Sequence, residues 1–215
     1  MVWRTLITSE MRSASPSDSL VEAFWQRFAC IADQLRRTPE DAFLLRALDA
    51  WVRELHPSVS WEIGPGKHAA WQLAISPSLH PELLPVTRKV VSRAPAIREW
   101  EFYSTRQPKE WDLRFELQQE PGPPLAIDAS DWTYVLLRYP DGRYEVVLHG
   151  TNISSLDRDA RDQAAAITIE GILGEEPMLG AIDAFELTDE LDPELAGRAR
   201  PIRTLASAFC RPPTC

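Results

Sequence analysis

His149 ends the apolar run YEVVLHG and is followed by Gly150, Thr151 and Asn152. An imidazole at a strand end beside small polar residues suits a general base, because its pKa lies near neutrality and a carboxylate can orient its second nitrogen. Asp128 or Asp131 could be that carboxylate, and the set would then serve hydrolysis of a small molecule. The other histidines have plainer settings. His56 and His80 each precede a proline, and His68 sits in a turn. A cation at His56 would suit the C-terminal dipole of the helix before it. A structural role is the simpler reading of each, with His149 the least plain of the four.

Other chemistry is thinly represented. The chain has no GxSxG elbow, no P-loop and no HExxH pair. The segment IGPGKHA holds two glycines and a lysine but lacks the spacing and helix start of a phosphate cradle, so it reads as a hairpin turn. DRDARD, 157–162, offers three carboxylates, yet Asp157 with Arg161 and Arg158 with Asp162 are spaced as ordinary helical ion pairs. DELDPE, 189–194, lacks the glycine and closing glutamate of a calcium loop. Arg106 and Lys109 could hold an anion at a strand exit. Trp61, Trp71, Trp100, Phe102 and Trp132 could form a ligand cage, although rings on alternating strands more often fill the layer under a helix. Cys30, Cys210 and Cys215 are an odd number without CxxC spacing, and nothing in the sequence calls for a metal or cofactor.

Charge is more informative. The net charge of −9 argues against a nucleic-acid partner, whose phosphates must be met by Lys and Arg. Between Thr151 and Leu195 there are twelve acids against only Arg158 and Arg161, whereas Arg198, Arg200, Arg203 and Arg211 follow with no acid. The two stretches could pair with each other. The alternative is a docking surface for a basic protein, carried by Glu175, Glu176, Asp189, Glu190, Asp192 and Glu194. The apolar N-terminal stretch is too short for a signal core and no long apolar run follows, which predicts a cytoplasmic protein without a membrane partner.

These residues sit on a readable scaffold. Leu20, Phe24, Phe28, Ile31 and Leu35, widened by Val21 and Trp25, form one helical stripe, and Leu44, Leu48, Trp51 and Leu55 form a second. Ser15-Pro16 and Thr38-Pro39 read as their start signals. VSWEIG and AAWQLAIS around GPGK then read as a hairpin, with Trp61, Ile63, Trp71, Leu73 and Ile75 in one layer. A helix started by Pro85 follows, with Val86, Val90 and Ala94 inward, and then the strand EWEFYSTR. After a less regular stretch containing LRFELQ and PGPP, the order returns. WTYVLLRY and YEVVLHG flank PDGR, a helix spans Asp157 to Leu173 with Ala160, Ala164, Ile167 and Ile172 inward and Gly174 closing it, and MLGAIDAFEL gives a strand. Leu205 to Phe209 could be a short helix.

The predicted fold is α+β. A helical hairpin over 1–57 packs on the rest, two hairpin–helix–strand units over 58–195 form mixed, mostly antiparallel sheet with helices on one face, and an Arg- and Pro-rich tail covers 196–215. FWQRF, SWEIG, WQLAIS, PVTRKVVSRAP, WEFYSTRQP, GILGEEPMLGAIDAFEL and RPIRTLA also resemble a family of bacterial proteins of unknown function. That resemblance implies bacterial origin, a cytoplasmic α+β fold and no cofactor, and it transfers no catalytic residue. The leading expectation is a non-enzymatic protein-binding module, such as an inhibitor or immunity protein. The His149 hydrolase is the second reading and a self-associating structural subunit the third.

Overall fold

The Leu20 N–H donates to the Ser17 hydroxyl and starts helix α1 (Asp18–Arg37) two residues beyond Ser15. The second start moves in the same way. Asp41, rather than Thr38, caps α2 (Ala42–Leu55) by accepting from the Phe43 and Leu44 N–H groups, while Thr38 closes α1 through its N–H and hydroxyl on the Gln34 carbonyl. A carboxylate satisfies orphan amides well and suits the positive end of the helix dipole.

The computed structural model describes residues 15–118 and 122–209. The N-terminal apolar stretch up to residue 14, Pro121 of the PGPP segment, Cys210, Arg211 and Cys215 lie outside the described residues. Those described form two compact units, 15–107 and 108–209.

In the first unit α1 and α2 lie over the sheet order β1-β2-β3. Strands β1 (Ser60–Pro65) and β2 (Trp71–Ser76) are antiparallel, and β3 (Trp100–Tyr103) runs parallel to β2. The crossover passes through a 3-10 turn at Pro81–Leu83 and helix α3 (Leu84–Ser92), with Pro85 in the first turn, where its missing N–H leaves no bond unmade. Trp61 lies opposite Ile75, Ile63 opposite Leu73, Trp71 opposite Trp100 and Leu73 opposite Phe102, which places all of them in the expected single layer.

Helix α1 buries Val21, Phe24, Trp25, Phe28, Ala32 and Leu35 against that layer, with Leu20 and Ile31 only partly covered. In α2, Val52 is buried and Trp51 half-buried, a small rotation of the expected stripe. The Trp25 ring meets Phe102 at 4.7 Å and Phe28 meets Trp100 at 5.0 Å, both edge to face. Neither buried indole N–H is orphaned. Trp25 donates to the Val90 carbonyl at 2.8 Å and Trp100 to the Ala32 carbonyl at 3.2 Å, which ties α1 to α3 and to β3.

The β1–β2 turn is built differently from a plain hairpin turn. Its Lys67, His68 and Ala69 N–H groups converge on the Glu101 carboxylate, so three amides do cradle an anion, one supplied by the chain itself. Burial pushes the Glu101 carboxyl up, but these amides and the Tyr103 hydroxyl together outweigh it and hold the pKa below its ordinary value. Glu101→Ala is expected to speed hydrogen exchange at Lys67, His68 and Ala69 while leaving the Leu73 and Ile75 amides protected. NMR-detected exchange reads this, and unchanged rates at all three turn amides would reject the role.

The second unit opens with a two-stranded antiparallel ribbon, β4 (Arg114–Leu117) and β5 (Leu125–Asp128). Strands β6 (Thr133–Arg138) and β7 (Tyr144–His149) form an antiparallel hairpin, with Gly142 at φ 86 in its turn. Asp157 caps α4 (Arg158–Leu173), and Gly174, at φ 81, closes it and opens α5 (Glu175–Ala181). The Met-Leu-Gly expected in a strand therefore belongs to α5, and β8 (Ile182–Thr188) begins after it, parallel to β7. Helix α4 buries Ala160 and Ala164 as expected, but Ala165, Thr168 and Ile169 complete its inner face, with Ile167 and Ile172 half-buried. A short helix α6 (Pro193–Ala196), a brief strand β9 (Arg200–Pro201) and α7 (Leu205–Phe209) complete the unit in the sheet order β8-β7-β6-β9.

The protein is therefore α+β, with an N-terminal helical pair and mixed and antiparallel sheets. In each unit an antiparallel hairpin is followed by helix and then by a strand parallel to the hairpin's second member. Among the described residues no helix is long and apolar enough to cross a membrane.

Candidate functional site

His149 sits at the end of β7 with Thr133 opposite it on β6 and Thr188 on β8. Its Nδ1 lies 3.3 Å from the Thr133 hydroxyl, and neither Asp128 nor Asp131 bonds to the ring. Asp128 is engaged elsewhere. It accepts from Arg114 Nε at 2.9 Å and from the Ser130 N–H at 3.0 Å, while its backbone carbonyl accepts from Asn152 Nδ2 at 2.8 Å. Asn152 Oδ1 in turn accepts the Trp132 indole N–H at 2.8 Å, so these residues order the turn around a buried tryptophan. Asp131 is exposed.

Hydrogen bonds from the Ser130 hydroxyl and N–H, with Arg114 adding to them, bring the Asp128 pKa down to about 2. Such a depressed pKa adds stability above the ordinary Asp range that is lost as pH falls through about 2. Ser130→Ala is expected to raise that midpoint, read as the carboxyl carbon shift against pH. An unmoved midpoint would remove the serine's role.

The acid-rich surface divides on inspection. Glu175, at the head of α5, is fully buried and so is out of a partner's reach, which corrects its place among the expected contact residues. Glu176, Asp189, Glu190, Asp192 and Glu194 are exposed. Asp189 binds Arg161 through two hydrogen bonds of 3.0 and 3.3 Å, and Arg161, the backbone N–H of Asp189 and the nearby His149 hold its pKa below the ordinary value. Arg161 thus reaches β8's far end instead of Asp157, which serves as the α4 cap. Asp192 caps α6 through the Glu194 N–H. Among the described residues, Glu190, Asp192 and Glu194 make no ion pair with Arg198, Arg200 or Arg203, so the acids are not neutralised by the tail that follows them.

Beside this surface runs a trough. A shallow depression of about 550 Å³ is lined by Tyr139, Pro140, Asp141, Glu145, Asp183 and Ala184. It shares Glu145 and Ala184 with a groove of about 980 Å³ between α4 and β8, where Leu156, Ala166, Phe185 and Leu187 are the apolar residues and Arg158, Arg161, Asp162 and Glu186 are charged. Tyr139 is 42% exposed at the trough's end, with its hydroxyl on Glu145.

The tryptophan candidates resolve into packing. Trp100 and Trp132 are buried, Trp61 donates to Asp49 at 3.3 Å, and Trp71 packs on Trp100 at 6.0 Å, which is core packing and not a cage. Arg106 is 2% exposed and donates to the Ser60 hydroxyl at 2.6 Å, while the Lys109 N–H donates to the Gly171 carbonyl at 2.8 Å. Sequence reading missed the serines around Arg106. Ser60 shares a 2.7 Å hydrogen bond with Ser78, whose N–H donates to Ser76, and Ser78 and Leu79 are both left-handed at φ 56 and 62. Only serines split between β1, the end of β2 and the turn after it announced that cluster.

His56 is buried and accepts the Ser58 N–H at Nδ1, and burial, with a smaller push from His80, lowers its pKa. It is therefore not the helix-end cation expected. Cys30 is free and exposed. No three of the described His, Cys, Asp or Glu residues come together as a metal site. Comparison of the chain with protein-family models, curated proteins and solved structures finds no match.

Proposed function

We propose that the protein is a non-enzymatic binding module, of inhibitor or immunity type, whose second unit presents an acidic surface to a basic protein in the bacterial cytoplasm. The observation that carries this reading is the set of exposed acids Glu186, Glu190, Asp192 and Glu194, which no arginine among the described residues pairs. Holding like charges together disfavours the isolated chain slightly, and an oppositely charged partner relieves it. For the alternative hydrolase, neither Asp128 nor Asp131 bonds the His149 ring, whose Nδ1 meets the Thr133 hydroxyl.

Immobilised protein exposed to bacterial lysate tests the reading. A basic protein should be retained at low salt and released as salt rises, because exposed charges are screened beyond about 10 Å at 0.1 M. Retention of no basic protein, or retention indifferent to salt, would reject it.

A further inference from the structure

Among the described residues β8 ends its sheet, and no strand pairs with its outer side. The Gly150 N–H donates to the Thr188 carbonyl at 3.1 Å, so Thr188 turns its backbone toward β7. Backbone direction alternates along a strand, which aims the N–H and C=O groups of Phe185 and Leu187 at the open edge. An unblocked edge is a template for another strand. The strand itself carries Asp183, which Arg143 pairs, and Glu186, which no described cation pairs, so an acidic strand is repelled and a basic one is drawn in.

The groove alongside carries the same preference. Asp141, Glu145, Asp162, Asp183 and Glu186 line the trough against Arg158 and Arg161; Asp189 holds Arg161 and Arg143 holds Asp183, which leaves an acidic balance. Apolar surface from Leu156, Ala166 and Phe185 lies between these charges. Tyr139, 42% exposed, lies at one end, where an aromatic ring attracts a cation. Alternating side chains of an added strand would meet Glu186 on one face of the sheet and Phe185 and Leu187, with Asp183 at their end, on the other.

We infer that the outer edge of β8, with the trough beside it, is a strand-addition site for an extended segment of a basic protein in which Lys or Arg alternates with aliphatic residues. This rests on the acidic-surface reading and adds to it the mode of binding. The segment would be about five residues long, the usual length of a strand.

The test is titration of ¹⁵N-labelled full chain with a blocked alternating Lys–Val peptide and with the same peptide N-methylated at every backbone nitrogen, which keeps the charge and removes the donors. The unmethylated peptide should bind, shift the Phe185 and Leu187 amides and slow their exchange. Methylation should weaken it by about tenfold or more, the loss of one or two backbone hydrogen bonds. Glu186→Lys should weaken it by a similar factor without altering the fold, since Glu186 is exposed. Equal, salt-sensitive binding of both peptides, or shifts confined to 189–194, would overturn strand addition and leave the acidic surface standing. Binding of neither peptide would overturn the site, while lysate capture decides the acidic-surface reading separately.

Discussion

Phe28→Ala is expected to lower the unfolding free energy by about 3–5 kcal/mol, the usual loss for a fully buried ring. Phe28 has no exposure, stacks on Phe24, and meets Trp25, Trp100 and Phe102 edge to face at 6.0, 5.0 and 5.8 Å. The cavity cannot close easily. Trp25 and Trp100 are anchored by their indole bonds to Val90 and Ala32, so neither ring can slide into the space without breaking one. Urea unfolding followed by tryptophan fluorescence should show a lower midpoint with little change in slope. A loss below about 1 kcal/mol would mean that the helical pair is not sealed against the sheet by these rings.

Gly150→Ala should be the more damaging of the small substitutions, at about 1–3 kcal/mol for the forced repacking. A Cβ there would stand 2.6 Å from Trp132 Nε1 and 2.8 Å from its Cδ1. The indole has little freedom to move. It is 2% exposed, donates to Asn152, and its residue is held by backbone bonds to Ala129 and Ile202. Displacing it also breaks the chain of contacts from Asn152 to Asp128, so the Trp132 indole proton should shift in the NMR spectrum along with the loss of stability. Gly64→Ala is the control, since a Cβ there meets nothing within 4 Å. Equal effects of the two substitutions would contradict the packing described for Trp132.

Patterns whose cause is local were legible in the chain. The 3.6-residue stripes of α1 and α2, the alternation of β1, β2, β6 and β7, and the Gly174 stop depend on neighbours in sequence. Helix starts were less secure because two caps competed within a few residues, Ser15 with Ser17 and Thr38 with Asp41, and geometry chose the later one each time. The run EEPMLGAIDAFEL is apolar enough to be strand or helix, and it proved to be α5 followed by β8. Pairings over a distance were invisible: Arg161 passes over its neighbour Asp157 for a carboxylate 28 positions on, and Glu101 crosses 32 to 34 residues to fill the β1–β2 turn. The acid excess could be counted from composition. Which acids are exposed, and that β8 is an edge, depend on sheet order, and a linear pattern does not carry it.

Attraction of a basic protein by carboxylates of the second unit is measured by low-salt lysate capture with the wild-type chain against a variant carrying Glu186→Gln, Glu190→Gln, Asp192→Asn and Glu194→Gln, in which the asparagine keeps the capping oxygen of α6. A salt-sensitive basic protein should be retained by the wild type and lost from the neutralised variant. Equal capture by both would contradict it.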